Sequence, residues 1–249
     1  MIHLKNEKQI AGIRQSCILL SSLYRELIPQ VKPGISTGDI DDFCRKYIAK
    51  NGGRPAWFRE DFPGAACVSV NEEVIHGIPS KNRKIKNGDL VSIDIGIDLG
   101  GFISDSAVTV PVGVVSSGAA HLVRVTHECL DAGIAACRPG NRISDISKAV
   151  YAVAQAAGFG VVHEYCGHGV GLDVHEDPSI PNVPGGRGAN PRIQAGMVLA
   201  IEPMINLGTG DVDLLEDGWT VVTADRKLSA HEEHTVVVFA NHTEVLTAR

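Results

Sequence analysis

Two aspartates placed about a glycine turn are the first residues in this 249-residue sequence that could do chemistry. The segment from Val91 to Asp105 alternates apolar and polar residues on both sides of Asp98-Leu99-Gly100-Gly101, the pattern of a β-hairpin. A turn centred between Leu99 and Gly100 puts Asp94 directly opposite Asp105. At about 4 Å and an effective dielectric near 20, two like charges repel by about 4 kcal/mol, so a bare aspartate pair protonates or binds a cation. On the hairpin alone, two solvated aspartates beside a surface turn remain the alternative.

A second cluster runs from Tyr165 to Pro178, with Gly167, Gly169 and Gly171 alternating around His168. Glycines on an extended segment allow close backbone approach and leave the imidazole unobstructed, which suits a metal ligand, although a single such histidine is more often structural. His168 and His175 do not have the i, i+4 spacing of a helical HExxH site, so that metalloprotease class is excluded. Two further acids sit among apolar residues. Glu202 lies in Leu199-Ala200-Ile201-Glu202-Pro203-Met204, where an unpaired carboxylate would be costly to bury. Glu232 and Glu233 alternate faces, so one of the two points inward. A turn at Asp225-Arg226-Lys227 would pair residue 219 with residue 233 and set Trp219 beside Glu233 as an apolar wall.

The elements that must position these groups repeat. Lys32-Pro33-Gly34 is echoed by Arg138-Pro139-Gly140, an offset of 106 residues, and Asp39-Ile40 by Asp145-Ile146. Gly88 to Asp94 parallels Gly196 to Glu202 at an offset of 108, each reading glycine, apolar strand, acid. Two halves with the same element order imply a pseudo-symmetric fold in which equivalent strands deliver Asp94 and Glu202 to a shared centre. The periodicity predicts helices over about 5–29, 37–50, 118–136 and 143–157, and strands over about 66–70, 89–97, 102–110, 197–205, 218–223 and 232–240. The Gly- and Pro-rich stretch Asn182 to Pro191 reads as a loop. Helices mixed with antiparallel hairpins make this α+β, and no linker divides residues 1–249, so a single catalytic domain is expected.

Composition sets the outer bounds. With 44% hydrophobic and 21% charged residues the chain can bury a sizeable core. A net charge of -6 argues against a general nucleic-acid surface. The polar start Met1-Ile2-His3-Leu4-Lys5-Asn6 is no secretory signal, and no apolar run is long enough to span a membrane, so a cytoplasmic protein is expected. Six cysteines, at 17, 44, 67, 129, 137 and 166, form no CxxC pair.

Taken together, Ser69-Val70-Asn71 with His76-Gly77-Ile78-Pro79, Asp94 with Asp105, Gly167-His168-Gly169 with His175-Glu176, Ile201-Glu202-Pro203, and Glu233-His234-Thr235 resemble the type I methionine aminopeptidases of the pita-bread (creatinase/aminopeptidase) fold, peptidase family M24. The resemblance spans essentially the whole chain. It implies that Asp94, Asp105, His168, Glu202 and Glu233 bind two divalent ions, with Asp105 and Glu233 bridging and four carboxylates balancing two dications. Mn²⁺, Fe²⁺ and Co²⁺ suit so carboxylate-rich a set, and Zn²⁺ is also compatible. The resemblance implies further that His175 stands near the scissile carbonyl, that His76 faces the scissile amide nitrogen, that Glu202 shuttles a proton while ligating, and that Phe62, Cys67 and Trp219 line a methionine pocket. The implied substrate is the N-terminal methionine of nascent polypeptides, with a small second residue preferred. A monomer is expected, with transient ribosome association and neither membrane nor specific nucleic-acid partners.

The chain departs from the family pattern at Phe62, where Tyr is frequent, at Ala56, where Cys is frequent, and at His163, where Arg is frequent. No N-terminal zinc-finger extension like that of some family members is expected, and the interval from His175 to Glu202 is too short for the type II insertion. A proline-specific peptidase of the same fold would carry a substantial extra N-terminal domain. A non-catalytic binding protein of this fold would have lost ligands, and all five are present here.

Overall fold

The computed structural model describes residues 1–185 and 189–249. Four helices form where the apolar periodicity places them: α1 (Glu7–Leu27), α2 (Thr37–Lys50), α3 (Ser117–Ala136) and α4 (Ile143–Ala156). Their starts are chemically marked. Asn6 with Gln9, and Ser36 with Asp39, form capping boxes that satisfy the first free N–H groups of α1 and α2.

Two antiparallel sheets carry the repeat. In the first, strand Leu90–Leu99 pairs along its length with Phe102–Pro111 and on its other edge with Cys67–Val70 and Arg54–Pro55. In the second, Val198–Ile201 lies between His234–Val238 and Cys166–Gly169, with Thr243–Val245 and Glu176–Pro181 outermost. The halves match bond for bond at the repeated turns. Gly34 N–H donates to Ile85 O and Gly140 N–H to Ile193 O, both at 2.9 Å, and each bond is returned, by Ile85 N–H to Ile35 O and by Ile193 N–H to Asn141 O. Isolated bridges Ser36–Lys84 and Arg142–Arg192 complete the correspondence.

Each half has its own apolar core. Leu20, Leu23, Leu27, Ile40 and Ile48 of α1 and α2 pack on Val91, Ile93, Ile95 and Ile97. Leu122, Leu130, Ile146 and Val150 of α3 and α4 pack with Leu199, Ile201 and Val236. The helices thus lie outside the sheets, and α1 is tied to the first by Tyr24 Oη donating to Ile93 O at 3.0 Å and Ser16 Oγ donating to Ile97 O at 2.9 Å.

Several sequence readings need correction. The hairpin turns on Gly100 and Gly101, whose φ of +63° and +89° favour glycine. Leu99 consequently pairs with Phe102, Asp94 with Ala107 and Asp105 with Gly96. The strand expected over 197–205 is broken at Glu202-Pro203, because proline removes a ladder donor. The strand expected over 232–240 likewise starts only at His234, after a separate strand Ser229–His231. Strand Val221–Thr223 pairs with Val212–Leu214 and with Glu73–Ile75, so residue 219 does not pair with residue 233. Gly186, Arg187 and Gly188 of the expected 182–191 loop lie outside the described residues, and the remainder of it carries neither helix nor strand.

Candidate active site

The breaks in the strands are where the acids emerge. Glu202 follows the end of Val198–Ile201, and Glu233 precedes His234–Val238, so both carboxylates leave the ladder at the same end of the second sheet. Across from them stand Asp94 and Asp105 on the hairpin of the first sheet. The two sheets are stitched together here: Glu233 N–H donates to Ala107 O at 3.0 Å, Ser106 Oγ to Glu233 O at 2.8 Å, and Asp105 N–H to Thr235 Oγ1 at 3.2 Å. Glu232 is buried as well, on the opposite side, where it accepts Thr109 N–H at 3.1 Å. Alternation therefore sends the two acids to opposite buried sides, instead of sending one of them outward.

His168 reaches the cluster because its neighbours have no side chains. A Cβ at Gly167 would stand 2.4 Å from Ala200 O, and one at Gly169 would stand 2.3 Å from Asp177 O. The close strand packing needs both glycines. His168 Nε2 lies 3.7 Å from Asp105 Oδ2 and 3.4 Å from Glu202 Oε1, and ligand atoms of Asp105, His168 and Glu233 all lie within 4.8 Å of one another.

This cluster is electrostatically unfinished without a cation. Among the described residues, Asp94 Oδ1, Asp105 Oδ1 and Glu233 Oε1 are buried with no hydrogen-bond partner. Burial pushes the Asp94 carboxyl up to about 7, with the His231 imidazole pulling it down and Glu202 adding to the rise. Burial, then neighbouring carboxylates, raise Asp105 and Glu233 well above the usual range. His168 is held below its usual value by burial, which favours the neutral imidazole, the form able to ligate a cation. Four carboxylates and one imidazole around one cavity, with three buried carboxylate oxygens lacking partners, fit divalent cations.

Above the acids is a cavity of about 150 Å³ lined by Phe62, Cys67, His76, Tyr165, His175 and Trp219, among others, with the acids at its floor. That is room for about one side chain. Phe62 and Trp219 meet edge to face with centroids 5.3 Å apart. Burial raises the Cys67 thiol well above its usual value, so it is a polarisable wall and not a nucleophile. Strand Cys67–Val70 brings Cys67 opposite Asp94. His76 follows strand Glu73–Ile75 in the left-handed region at φ +57°, an uncommon conformation for a side chain of its size. Burial lowers the His76 imidazole to about 4, so it is neutral at pH 7. His175 is exposed at the rim, its ring centroid 4.5 Å from that of His168.

The residues expected to ligate metal or touch substrate thus all line one cavity, although Trp219 arrives by a route other than the expected strand pair. His231 was not singled out in the sequence. It is buried, and its Nε2 lies 3.4 Å from Glu202 Oε2. Burial works against its charged form, but the adjacent Glu202 outweighs that and its pKa is raised. Its position two residues before Glu233, hence on the same face of an extended segment, was the available signal. His163 is not among the residues lining the cavity, whereas Trp57, next to the buried Ala56, closes one side and donates from Nε1 to Asp94 O at 3.2 Å.

The profile of metallopeptidase family M24 matches residues 11–240. A methionine aminopeptidase from Treponema pallidum is 61% identical over 99% of this chain and 96% of that protein. The crystal structure of a methionine aminopeptidase from Thermotoga maritima superposes with a TM-score of 0.96 at 38% identity, over 100% of both chains. A prolidase from Pyrococcus furiosus shares the fold alone, at 22% identity and a TM-score of 0.79, and this chain covers only 65% of it. The chain belongs to metallopeptidase family M24, with the methionine aminopeptidases of the pita-bread fold.

Proposed function

We propose that Asp94, Asp105, His168, Glu202 and Glu233 hold two divalent ions, and that this metallo-aminopeptidase removes the N-terminal methionine of nascent proteins and peptides, preferring a small second residue. The observation that carries the reading is that three buried carboxylate oxygens without partners belong to acids lining one cavity sized for one side chain. Mn²⁺, Fe²⁺ and Co²⁺ suit a donor set with one imidazole and no thiolate, and Zn²⁺ is compatible with it.

When bound, the ions supply Lewis acidity at the scissile carbonyl and make water a competent nucleophile at neutral pH. The protein's own groups do the rest. Phe62, Cys67 and Trp219 take the methionine side chain, excluding water from the thioether. Glu202 accepts a proton from the attacking water and returns it to the leaving amine, a transfer its place between His168 and His231 favours. His175 at the rim donates to the carbonyl oxygen as negative charge develops there, a contribution of about 3 kcal/mol for one well-placed donor. Neutral His76 faces the scissile amide. The free amino terminus would be held at the metal site, which limits cleavage to the terminal residue.

The reading extends to a cytoplasmic monomer in which residues 1–249 act as one catalytic unit and which meets its substrates transiently at the ribosome. No helix among the described residues is long and apolar enough to cross a membrane. Purified protein is expected to release methionine from Met-Ala-Ser in a metal-dependent way. Full activity in Glu202→Ala, or in protein exhaustively stripped of metal, would sink the mechanism. Hydrolysis of Gly-Pro but not Met-Ala-Ser would select a proline-specific peptidase.

A further inference from the structure

His175 stands at the end of a turn with no regular backbone, between strand Cys166–Gly169 and strand Glu176–Pro181. A rim residue that must meet a substrate carbonyl needs its backbone fixed by something, and the next residue supplies it. Glu176 Oε1 accepts the N–H groups of Leu172 at 2.8 Å and Asp173 at 3.1 Å, closing the turn from inside. Its other oxygen, Oε2, accepts from Lys5 Nζ at 2.6 Å. The pair is withdrawn from water, with side-chain exposures of 1% for Lys5 and 5% for Glu176.

Lys5 is itself anchored. Its N–H donates to Gly196 O at 2.7 Å, and the next residue, Asn6, caps α1. The approach is close enough that a Cβ at Gly196 would stand 3.0 Å from Lys5 O, and one at Gly171 3.4 Å from Lys5 Cε. A buried lysine costs desolvation unless its charge is matched, and Glu176 is the only carboxylate recorded within ion-pair distance of it among the described residues. The ammonium keeps Glu176 ionised against burial, holding its carboxyl below the usual range. An ionised Glu176 is the form that accepts both turn amides and the ammonium together.

We propose that Lys5 is a positioning residue for the hydrolytic reaction, fixing through Glu176 the turn 171–175 that presents His175 to the substrate. The proposal rests on the reading that His175 touches substrate. In Lys5→Met the buried carboxylate loses its cation and the turn amides lose part of their acceptor. With Mn²⁺-loaded protein, kcat for Met-Ala-Ser is expected to fall about tenfold with KM changed less than about threefold. Amide hydrogen exchange at Leu172 and Asp173 is expected to accelerate at least tenfold, while amides of α3 exchange as in the parent protein. Adding Glu176→Gln to Lys5→Met removes the stranded charge but keeps an acceptor for the turn, and should recover part of both losses. Exchange at Leu172 and Asp173 unchanged in folded Lys5→Met, or accelerated exchange with undiminished kcat, would overturn the proposal. Exchange is read without turnover, so absence of methionine release in the parent protein would count against the proposed function and leave the test of the Lys5–Glu176 strap intact.

Discussion

Asp94 and Asp105 occupy one face of the same hairpin but are offset by two residues, Asp94 lying opposite Ala107 and Asp105 opposite Gly96. Diagonal neighbours are farther apart than a directly opposed pair, roughly 7 Å between backbone positions against about 5 Å, which leaves room for a cation between the carboxylates. The offset follows from the turn. With Gly100 and Gly101 as the two central residues, the register moves by two from that of a turn centred one residue earlier.

Metal-free protein should lose stability as pH rises through this cluster. A carboxyl whose folded pKa is raised favours the folded state fully below its unfolded value near 4, and that contribution is lost as pH rises through about 7, the value of Asp94. Divalent ions replace the protons, so Mn²⁺ at 100 times its Kd adds about 2.7 kcal/mol. Thermal denaturation at pH 5 and 7.5 checks this: the rise in Tm with Mn²⁺ is expected to be larger at pH 7.5. Equal rises at the two pH values would contradict it.

His76 carries the opposite sign. Its folded pKa of about 4 lies below the ordinary 6.5, so its neutral form stabilises the fold above 6.5 and that stabilisation is lost as pH falls toward 4. The loss from this one group is about 2 kcal/mol by pH 5. His76→Asn, which tolerates the left-handed backbone, should flatten the acid limb of stability measured by urea unfolding between pH 7.5 and 5.

Trp219 and Phe62 form the apolar wall together, so truncating either opens the cavity. Trp219→Ala is expected to lower kcat/KM for Met-Ala-Ser by roughly 10 to 200-fold, the discrimination an apolar pocket supplies. Steady-state kinetics with metal held saturating tests it, and an unchanged kcat/KM would place the methionine side chain elsewhere.

Gly167→Ala should act through the backbone. The added Cβ meets Ala200 O at 2.4 Å, and neither strand can yield without moving His168 from the cluster. A destabilisation of about 1 to 3 kcal/mol is expected, together with weakened Mn²⁺ binding. Urea denaturation and titration calorimetry read the two effects separately.

Much of the site was legible in the sequence because the relevant physics is local. The helices announced themselves by apolar periodicity and by capping residues such as Asn6 and Ser36, and the repeat of Lys32-Pro33-Gly34 at Arg138-Pro139-Gly140 reported two equivalent halves. The same repeat made Asp94 and Glu202 partners, because equal spacing from Gly88 and Gly196 places both at the same point on equivalent strands. What failed was register and pairing. Short strands such as Glu73–Ile75 and Val212–Leu214 have too few residues to show alternation, so the true neighbours of Val221–Thr223 were hidden and Trp219 was assigned the wrong route to the cavity.

The sequence by itself determined that this chain has two matched α+β halves, which side chains are chemically suited to hold divalent metal, and the family resemblance of their order. Only the tertiary structure decided that Asp94 and Asp105 stand diagonally, that His231 backs Glu202, and that Lys5 at one end of the chain secures the turn bearing His175. Spacing along a chain encodes which face of a strand or helix a residue occupies. Contacts between residues 5 and 176, or between 202 and 231, depend on how separate elements pack, and that is set by the summed burial of many side chains, not by a pattern any one segment carries.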